Sequence, residues 1–166
     1  MTEIEIGRAK RARRAYAFDD VAVVPSRRTR DPKDVSVTWS IDAFTFQMPV
    51  IAAPMDSVVS PATAIAIGKL GGLGVLDLEG VWTRYDNPEP ILAEIRSLPA
   101  DQATARMQAI YSEPIKPALV AERLAEIRAA GVPVAGALSP QRTHELHKTV
   151  LDAGVDLFVI RGTTVS

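Results

Sequence analysis

The acidic residues of this chain cluster where apolar runs give way to loops. Gly74–Leu78 is an apolar run that ends in Asp77-Leu78-Glu79-Gly80. Carboxylates at the C-terminal end of a parallel strand stand where ligands bind, or they cap the loop that follows. Both readings fit the residues. Asp19 and Asp20 form a second acidic pair. Adjacent residues of an extended chain point to opposite faces, so a turn or cap suits this pair better than a metal or acid/base site. His144 and His147 are spaced i, i+3, but no carboxylate or third ligand is placed with them, so they read as surface residues. The cluster Arg8, Lys10, Arg11, Arg13 and Arg14 lacks interleaved aromatic residues. It reads as a solvated arm and not as a nucleic-acid surface. The chain has no cysteine, which removes disulfides, thiolate metal sites and a thiol nucleophile together.

The elements that must carry these groups are βα units. Pro49 to Gly74 reads as a strand, a loop, a helix and the start of a second strand. Val50–Ala53 is a short apolar run, as a strand buried on both faces should be. Pro54-Met55-Asp56-Ser57 breaks it. Ser60-Pro61 opens a helix with a hydroxyl cap and a proline that needs no amide hydrogen. Ala64, Ile65, Ile67 and Leu70 supply its apolar face, and Gly71-Gly72 stop it. Asn87-Pro88 opens a helix ended by Pro99. Ala103–Tyr111 is helical, and Glu113-Pro114 opens a helix reaching Ala130. Val132–Leu138 is a third strand. Ser139-Pro140 starts a helix that Gly154 stops, and Asp156–Ile160 is a fourth strand. Ile51 and Val75 stand 24 residues apart, as do Val134 and Phe158, whereas Val75 and Val134 are separated by 59. The middle crossover therefore carries an insertion holding one or two extra helices. Before these units, Val21–Val24 suggests a short strand. Val35, Val37 and Trp39 alternate with polar residues, and Phe44 and Phe46 repeat the alternation.

Four parallel strands with helical crossovers imply an α/β fold, half of an eight-stranded (β/α)8 barrel. Residues 1–48 are expected to be an N-terminal arm with capping strands. Residues 49–166 are expected to be the half-barrel, with a helical insertion at about 80–130. After Ile160 no helix follows, so the expectation is a piece of a longer protein or a chain completed by a partner. At 166 residues, 47% hydrophobic and net charge −1, no global field favours nucleic acid or a membrane surface. No apolar run approaches the roughly 20 residues of a membrane helix. These features fit a cytoplasmic protein.

The residues also carry a family resemblance. Ala17-Phe18-Asp19-Asp20-Val21 with Val24-Pro25 resembles the TFDDV…VP opening of IMP dehydrogenases and GMP reductases. Ala53-Pro54-Met55-Asp56-Ser57-Val58 is similar to their SAPMDTV loop. Ala64-Ile65-Ala66 with Gly71-Gly72-Leu73-Gly74-Val75 resembles MAIA…GGLGV, and Gly154–Ile160 resembles the AGVDVLVID strand. Residues 80–130 do not resemble the family. Many members carry paired CBS regulatory domains after the second strand. Here the helical insertion stands in their place.

The resemblance implies a TIM barrel, the oxidation of IMP to XMP with NAD, a monovalent cation in the intact enzyme, and a homo-oligomer, usually a tetramer. It implies a cysteine nucleophile, phosphate-binding loops and an Arg-Tyr flap, all in the second half of the barrel, so no catalytic residue is assigned in this chain. Ala53 and Met55 match the loop that packs against the nucleotide base, although Ala52-Ala53 lacks the hydroxyl usual there. Arg161-Gly162-Thr163 stands where the family contacts the cofactor, with Arg161 in place of the acid that holds the ribose. A guanidinium only donates, so the cofactor is NADP in place of NAD, or is bound differently, or Arg161 is salt-bridged to a neighbour. A GMP reductase and a non-catalytic nucleotide-binding paralogue are the alternatives. Without a cysteine the covalent step has no nucleophile. The isolated chain is therefore expected to form no NADH from IMP and NAD, and steady NADH fluorescence growth that depends on IMP would overturn this.

Overall fold

The short apolar runs pair side by side as a parallel sheet because helices cover the crossovers between them. The computed structural model describes residues 3–5, 8, 11–13, 15–24 and 31–162, and divides the chain into two units, Met1–Ser36 and Val37–Ser166. In the first unit, β1 (Glu3–Glu5) pairs antiparallel with β2 (Arg11–Arg13), with Ile4 opposite Ala12. A 3-10 turn spans Phe18–Asp20, and the Asp20 carboxylate accepts the Ala17 amide at 2.9 Å. Asp20 is therefore a turn cap, and Asp19 sits in the same turn. Val21–Val24 forms no strand among the described residues, and Val23 and Val24 are exposed. An apolar run becomes a strand only when a neighbour completes its hydrogen-bond ladder. Of the basic cluster only Arg8 has a described side chain, and it is exposed. Residues 25–30 and Thr163 lie outside the described residues.

The second unit opens with a hairpin, β3 (Trp39–Ile41) against β4 (Phe44–Phe46). Val35 and Val37, predicted in this strand, precede it. Trp39 stacks on Phe46 with centroids 4.6 Å apart, and its indole N–H donates to the Met48 carbonyl at 2.9 Å. There follow β5 (Ile51–Ala52), α1 (Pro61–Lys69), β6 (Leu73–Asp77), a 3-10 turn (Val81–Thr83), α2 (Glu89–Ser97) and α3 (Ala100–Ser112). The unit continues with α4 (Pro117–Ala129), β7 (Ala135–Leu138), α5 (Pro140–Asp152) and β8 (Leu157–Ile160). The strands form one parallel sheet in the order β5-β6-β7-β8. Both Ser-Pro signals are N-caps: Ser60 Oγ accepts the Thr63 amide at 3.0 Å, and Ser139 Oγ accepts the Arg142 amide at 3.3 Å. Gly71, at φ 85°, ends α1 as expected.

The long middle crossover holds α2, α3 and α4. The last of these begins at Pro117 and not at Glu113. The Lys116 amide donates to the Thr83 carbonyl at 2.8 Å, which keeps the segment extended until the second proline takes the first helical position. The sheet has two apolar faces. Leu76, Leu78 and Leu138 pack under the helices with Val120, Leu124, Ile127 and Val150. Leu73, Val75, Ala135 and Ala137 face the other way and are covered by Phe46, Trp39 and Phe44 of the hairpin. Asp77 shares the inner face with Leu73 and Val75, because side chains alternate along a strand. Among the described residues no helix is long and apolar enough to cross a membrane. Leu124 is fully buried at the helix–sheet contact. Leu124→Ala is expected to cost about 3 kcal/mol through lost burial and the cavity it leaves; the midpoint of urea denaturation measures it.

Candidate functional site

Parallel strands deliver their following loops to one edge of the sheet, so the loops after β5, β6 and β8 meet there. The loop after β5 is Ala53–Ser60. It is folded tightly on itself: the Met55 amide donates to the Ala53 carbonyl at 2.8 Å, and the amides of Val58 and Val59 donate to the Met55 carbonyl at 2.9 Å. Asp56 then fastens the loop to two other elements. Its Oδ2 accepts the Val81 amide at 2.8 Å and the Tyr111 hydroxyl of α3 at 2.6 Å. Its Oδ1 is buried beside Gly80 and has no hydrogen-bond partner among the described residues; a Cβ at position 80 would come within 2.1 Å of it, so a side chain there would have to displace Asp56. Burial and then the Asp56 carboxylate push the Tyr111 phenol far above its ordinary range. Tyr111 is thus a fixed donor.

Arg84 reinforces this junction from below. It is buried, its Nε donates to the Glu79 carbonyl at 2.8 Å, and its Nη1 donates to the Glu113 carbonyl. The guanidinium carbon stands 5.9 Å from the centroid of the Tyr111 ring. The loop after β6 and the end of α3 are thereby held at both the phenol and its ring.

The carboxylates that end β6 serve the framework. Asp77 Oδ1 accepts the Glu79 amide at 3.0 Å, and Asp77 Oδ2 accepts Arg161 Nη1 at 3.2 Å. Glu79 Oε1 accepts the Ser139 amide at the start of α5. Of the two readings of these acids, the loop-capping one describes their contacts. Burial raises the Asp77 carboxyl above its ordinary value, outweighing the Glu79 amide and the Arg161 guanidinium, which pull it down. Arg161 also donates from Nη1 to the Pro54 carbonyl at 2.6 Å. It is therefore salt-bridged to a neighbour, and it ties the end of β8 to the Met55 loop.

Among the described residues, two cavities at this edge each hold about 350 Å³. The first has Met55, Asp56, Ser57 and Asp77 on one side, and residues of α2 and α3 on the other, Met107 and Tyr111 among them. The second lies beside Arg161 and Gly162, against Ser139, Pro140 and Gln141 at the start of α5. Met55 is 47% exposed and lines the first cavity. Ala53 is exposed but does not line it. The two predicted groups, Met55 and Arg161, are thus brought to one edge and joined through Pro54. His147 Nδ1 lies 3.1 Å from the Thr143 carbonyl within its own helix, and among the described residues no cluster of three metal-binding side chains occurs.

Sequence reasoning missed the roles of Asp56, Arg84 and Tyr111. Tyr111 lies on a helix whose pattern signals only amphipathicity, and nothing local points to a partner so far along the chain.

The architecture defines a barrel-type α/β protein with its loops converging beyond the strand C-termini. The family model described as the IMP dehydrogenase / GMP reductase domain matches residues 15–164. The chain belongs to the IMP dehydrogenase/GMP reductase family. An uncharacterised oxidoreductase of Mycolicibacterium smegmatis is 45% identical, over 98% of this chain and 45% of its own length. An inosine-5'-monophosphate dehydrogenase of Methanocaldococcus jannaschii is 42% identical, over 39% of this chain and 13% of its own. The crystal structure of an IMP dehydrogenase/GMP reductase-like protein from Corynebacterium glutamicum superposes with a TM-score of 0.83 at 41% identity, covering 99% of this chain and 45% of that one. The chain thus spans about half the length of the relatives it matches, and its four parallel strands form part of such a barrel.

A carboxyl whose folded pKa is raised binds its proton more readily in the fold than in the unfolded chain. Its stabilising contribution is full below the unfolded value of 3.8 and is lost as pH rises through the folded value. As pH falls toward 3.8, wild-type stability is expected to rise relative to Asp77→Asn, which has no proton to bind. Urea denaturation of both proteins at a series of pH values measures the difference; a constant gap would contradict the assignment.

Proposed function

We propose that this chain forms the base-binding edge of a purine-nucleotide oxidoreductase, of the kind that oxidises IMP to XMP with NAD. The observation that carries the reading is Met55: half-exposed over a 350 Å³ cavity, on a loop anchored by Asp56 and by Arg161 through Pro54. A thioether on a rigid loop is a polarizable surface for the flat face of a base. Ala53 keeps the loop turned through its carbonyl. The IMP reading is preferred to GMP because several relatives of the matched segment bear the name inosine-5'-monophosphate dehydrogenase.

In this reading the cofactor lies along the second cavity, against Gly162, with Arg161 at its edge. Because Asp77 and Pro54 already hold that guanidinium, Arg161 is not a substitute for the family's ribose-binding acid. The remaining face of the guanidinium suits a phosphate, as in NADP or in the pyrophosphate of NAD. The site-completing groups, the nucleophile, the cation and the tetrameric contacts belong to the intact family enzyme.

The test is direct binding of IMP by calorimetry. Met55→Ala is expected to raise the dissociation constant about tenfold, the scale of one lost side-chain contact of roughly 1.5 kcal/mol. Equal affinity in both proteins would remove Met55 from the site.

A further inference from the structure

Packing does not fix Met55. It is 47% exposed and lines the first cavity. A side chain on a cavity wall lacks the contacts that hold a core residue in place. Its position is set instead by hydrogen bonds on the residues to either side. Before it, the Pro54 carbonyl accepts Arg161 Nη1 at 2.6 Å. After it, Asp56 Oδ2 accepts the Val81 amide at 2.8 Å and the Tyr111 hydroxyl at 2.6 Å. Asp56 Oδ1 is buried and has no donor among the described residues. The phenol is therefore one of two donors to a carboxylate that has given up much of its water. A carboxylate that loses one of two such donors is left short of partners and turns toward solvent where it can. Turning Asp56 outward draws the adjacent Met55 with it, and the cavity offers the room.

Tyr111 is itself held. The carbonyl of Ile110, just before it, accepts the Tyr85 hydroxyl at 3.0 Å, and the Glu113 carbonyl accepts Arg84 Nη1. The Arg84 guanidinium carbon stands 5.9 Å from the centroid of the Tyr111 ring. α3 is joined to α2 through Arg106, whose Nη2 donates to Glu94 at 2.9 Å. Among the described residues, the phenol makes the one hydrogen bond between these two helices and the loop Ala53–Ser60. Elsewhere the cavity separates them, with Leu92, Ile95 and Met107 on the helix side. Asp56 and Asp77 both line that cavity, and both are engaged within the frame. Two carboxylates against the single guanidinium of Arg96 make the lining unsuited to an anion. The helix pair acts on the site through the phenol.

We propose that Tyr111 is a positioning residue for nucleotide binding: α2 and α3 form a brace whose phenol holds the Asp56 carboxylate, and so keeps Met55 where it receives a purine base. This rests on the reading of Met55 as a base-packing residue.

Methionine methyls labelled with carbon-13 and assigned by single substitution report on each position. Met55 and Met107 line the cavity, while Met48 sits beside Gly72, before β5. Tyr111→Phe keeps the ring near Arg84 and removes only the donor. It is expected to broaden the Met55 resonance and move it toward that of a free methionine side chain, with Met48 unchanged. Tyr85→Phe is the control, because it removes a hydroxyl contact from the same turn of α3 without touching Asp56. It is expected to lower the urea midpoint and leave Met55 in place. IMP affinity, by calorimetry, gives the functional readout. Tyr111→Phe is expected to weaken IMP about fivefold, less than loss of the Met55 side chain itself, and to have no further effect once Met55→Ala is present. An unmoved Met55 resonance in Tyr111→Phe would overturn the brace. So would equal displacement of Met55 by Tyr85→Phe, or an equal loss of IMP affinity with and without the Met55 side chain. No binding of IMP by the wild-type chain would instead remove the base-packing reading, and the methyl spectra would then decide the brace alone.

Discussion

A single carboxylate, that of Asp56, sets the relative positions of three parts of the barrel edge. Its outer oxygen takes one backbone amide from the turn after β6 and one phenol from α3, and its inner oxygen rests on a glycine. Removing a carboxylate from water is costly unless hydrogen bonds replace the water. The loop after β5 therefore cannot shift without stripping Asp56 of its donors, and α3 cannot lift without taking the phenol away. Met55 inherits its position from this arrangement, being the residue next to the anchored one.

A second tie acts on the same loop from the opposite side. Arg161 reaches back from the end of β8 to the Pro54 carbonyl and to Asp77. Arginine suits this task because its planar fork of donors can serve a carbonyl and a carboxylate at once. The ends of β5, β6 and β8 are thereby held by one side chain. This explains why an arginine follows β8 in a position where the resemblance leads one to expect an acid. Here the residue is part of the frame before it is part of any ligand contact.

The insertion in the middle crossover has a structural logic of its own. The crossover needs only one helix to return the chain, and α4 supplies it, packing against α1 and α5 over the sheet. α2 and α3 are surplus to the sheet, and their apolar stripes are turned toward the strand ends. The buried Arg84 marks the point of departure, since its donors are divided between the segment leaving the barrel and the segment returning to it.

The βα order of this chain, its caps and its helix stops were legible in local sequence, because Ser-Pro starts, glycine stops and short apolar runs act over a few residues. The length of the middle crossover likewise announced extra helices. Val21–Val24 and the start of α4 were misjudged for a common reason: a strand needs a partner and a helix start needs its preceding segment held, and both conditions are set by distant residues. The site divides along the same line. Met55 and Arg161 stood out through their motifs. The pairing of Asp77 with Arg161, and of Asp56 with Tyr111, joins residues far apart in the chain, and no spacing rule relates them. The sequence by itself determined which elements form and in what order. The tertiary structure decided which side chains face one another across the strand ends, because hydrogen bonds are short-ranged and directional and exist only once the sheet has brought the loops together.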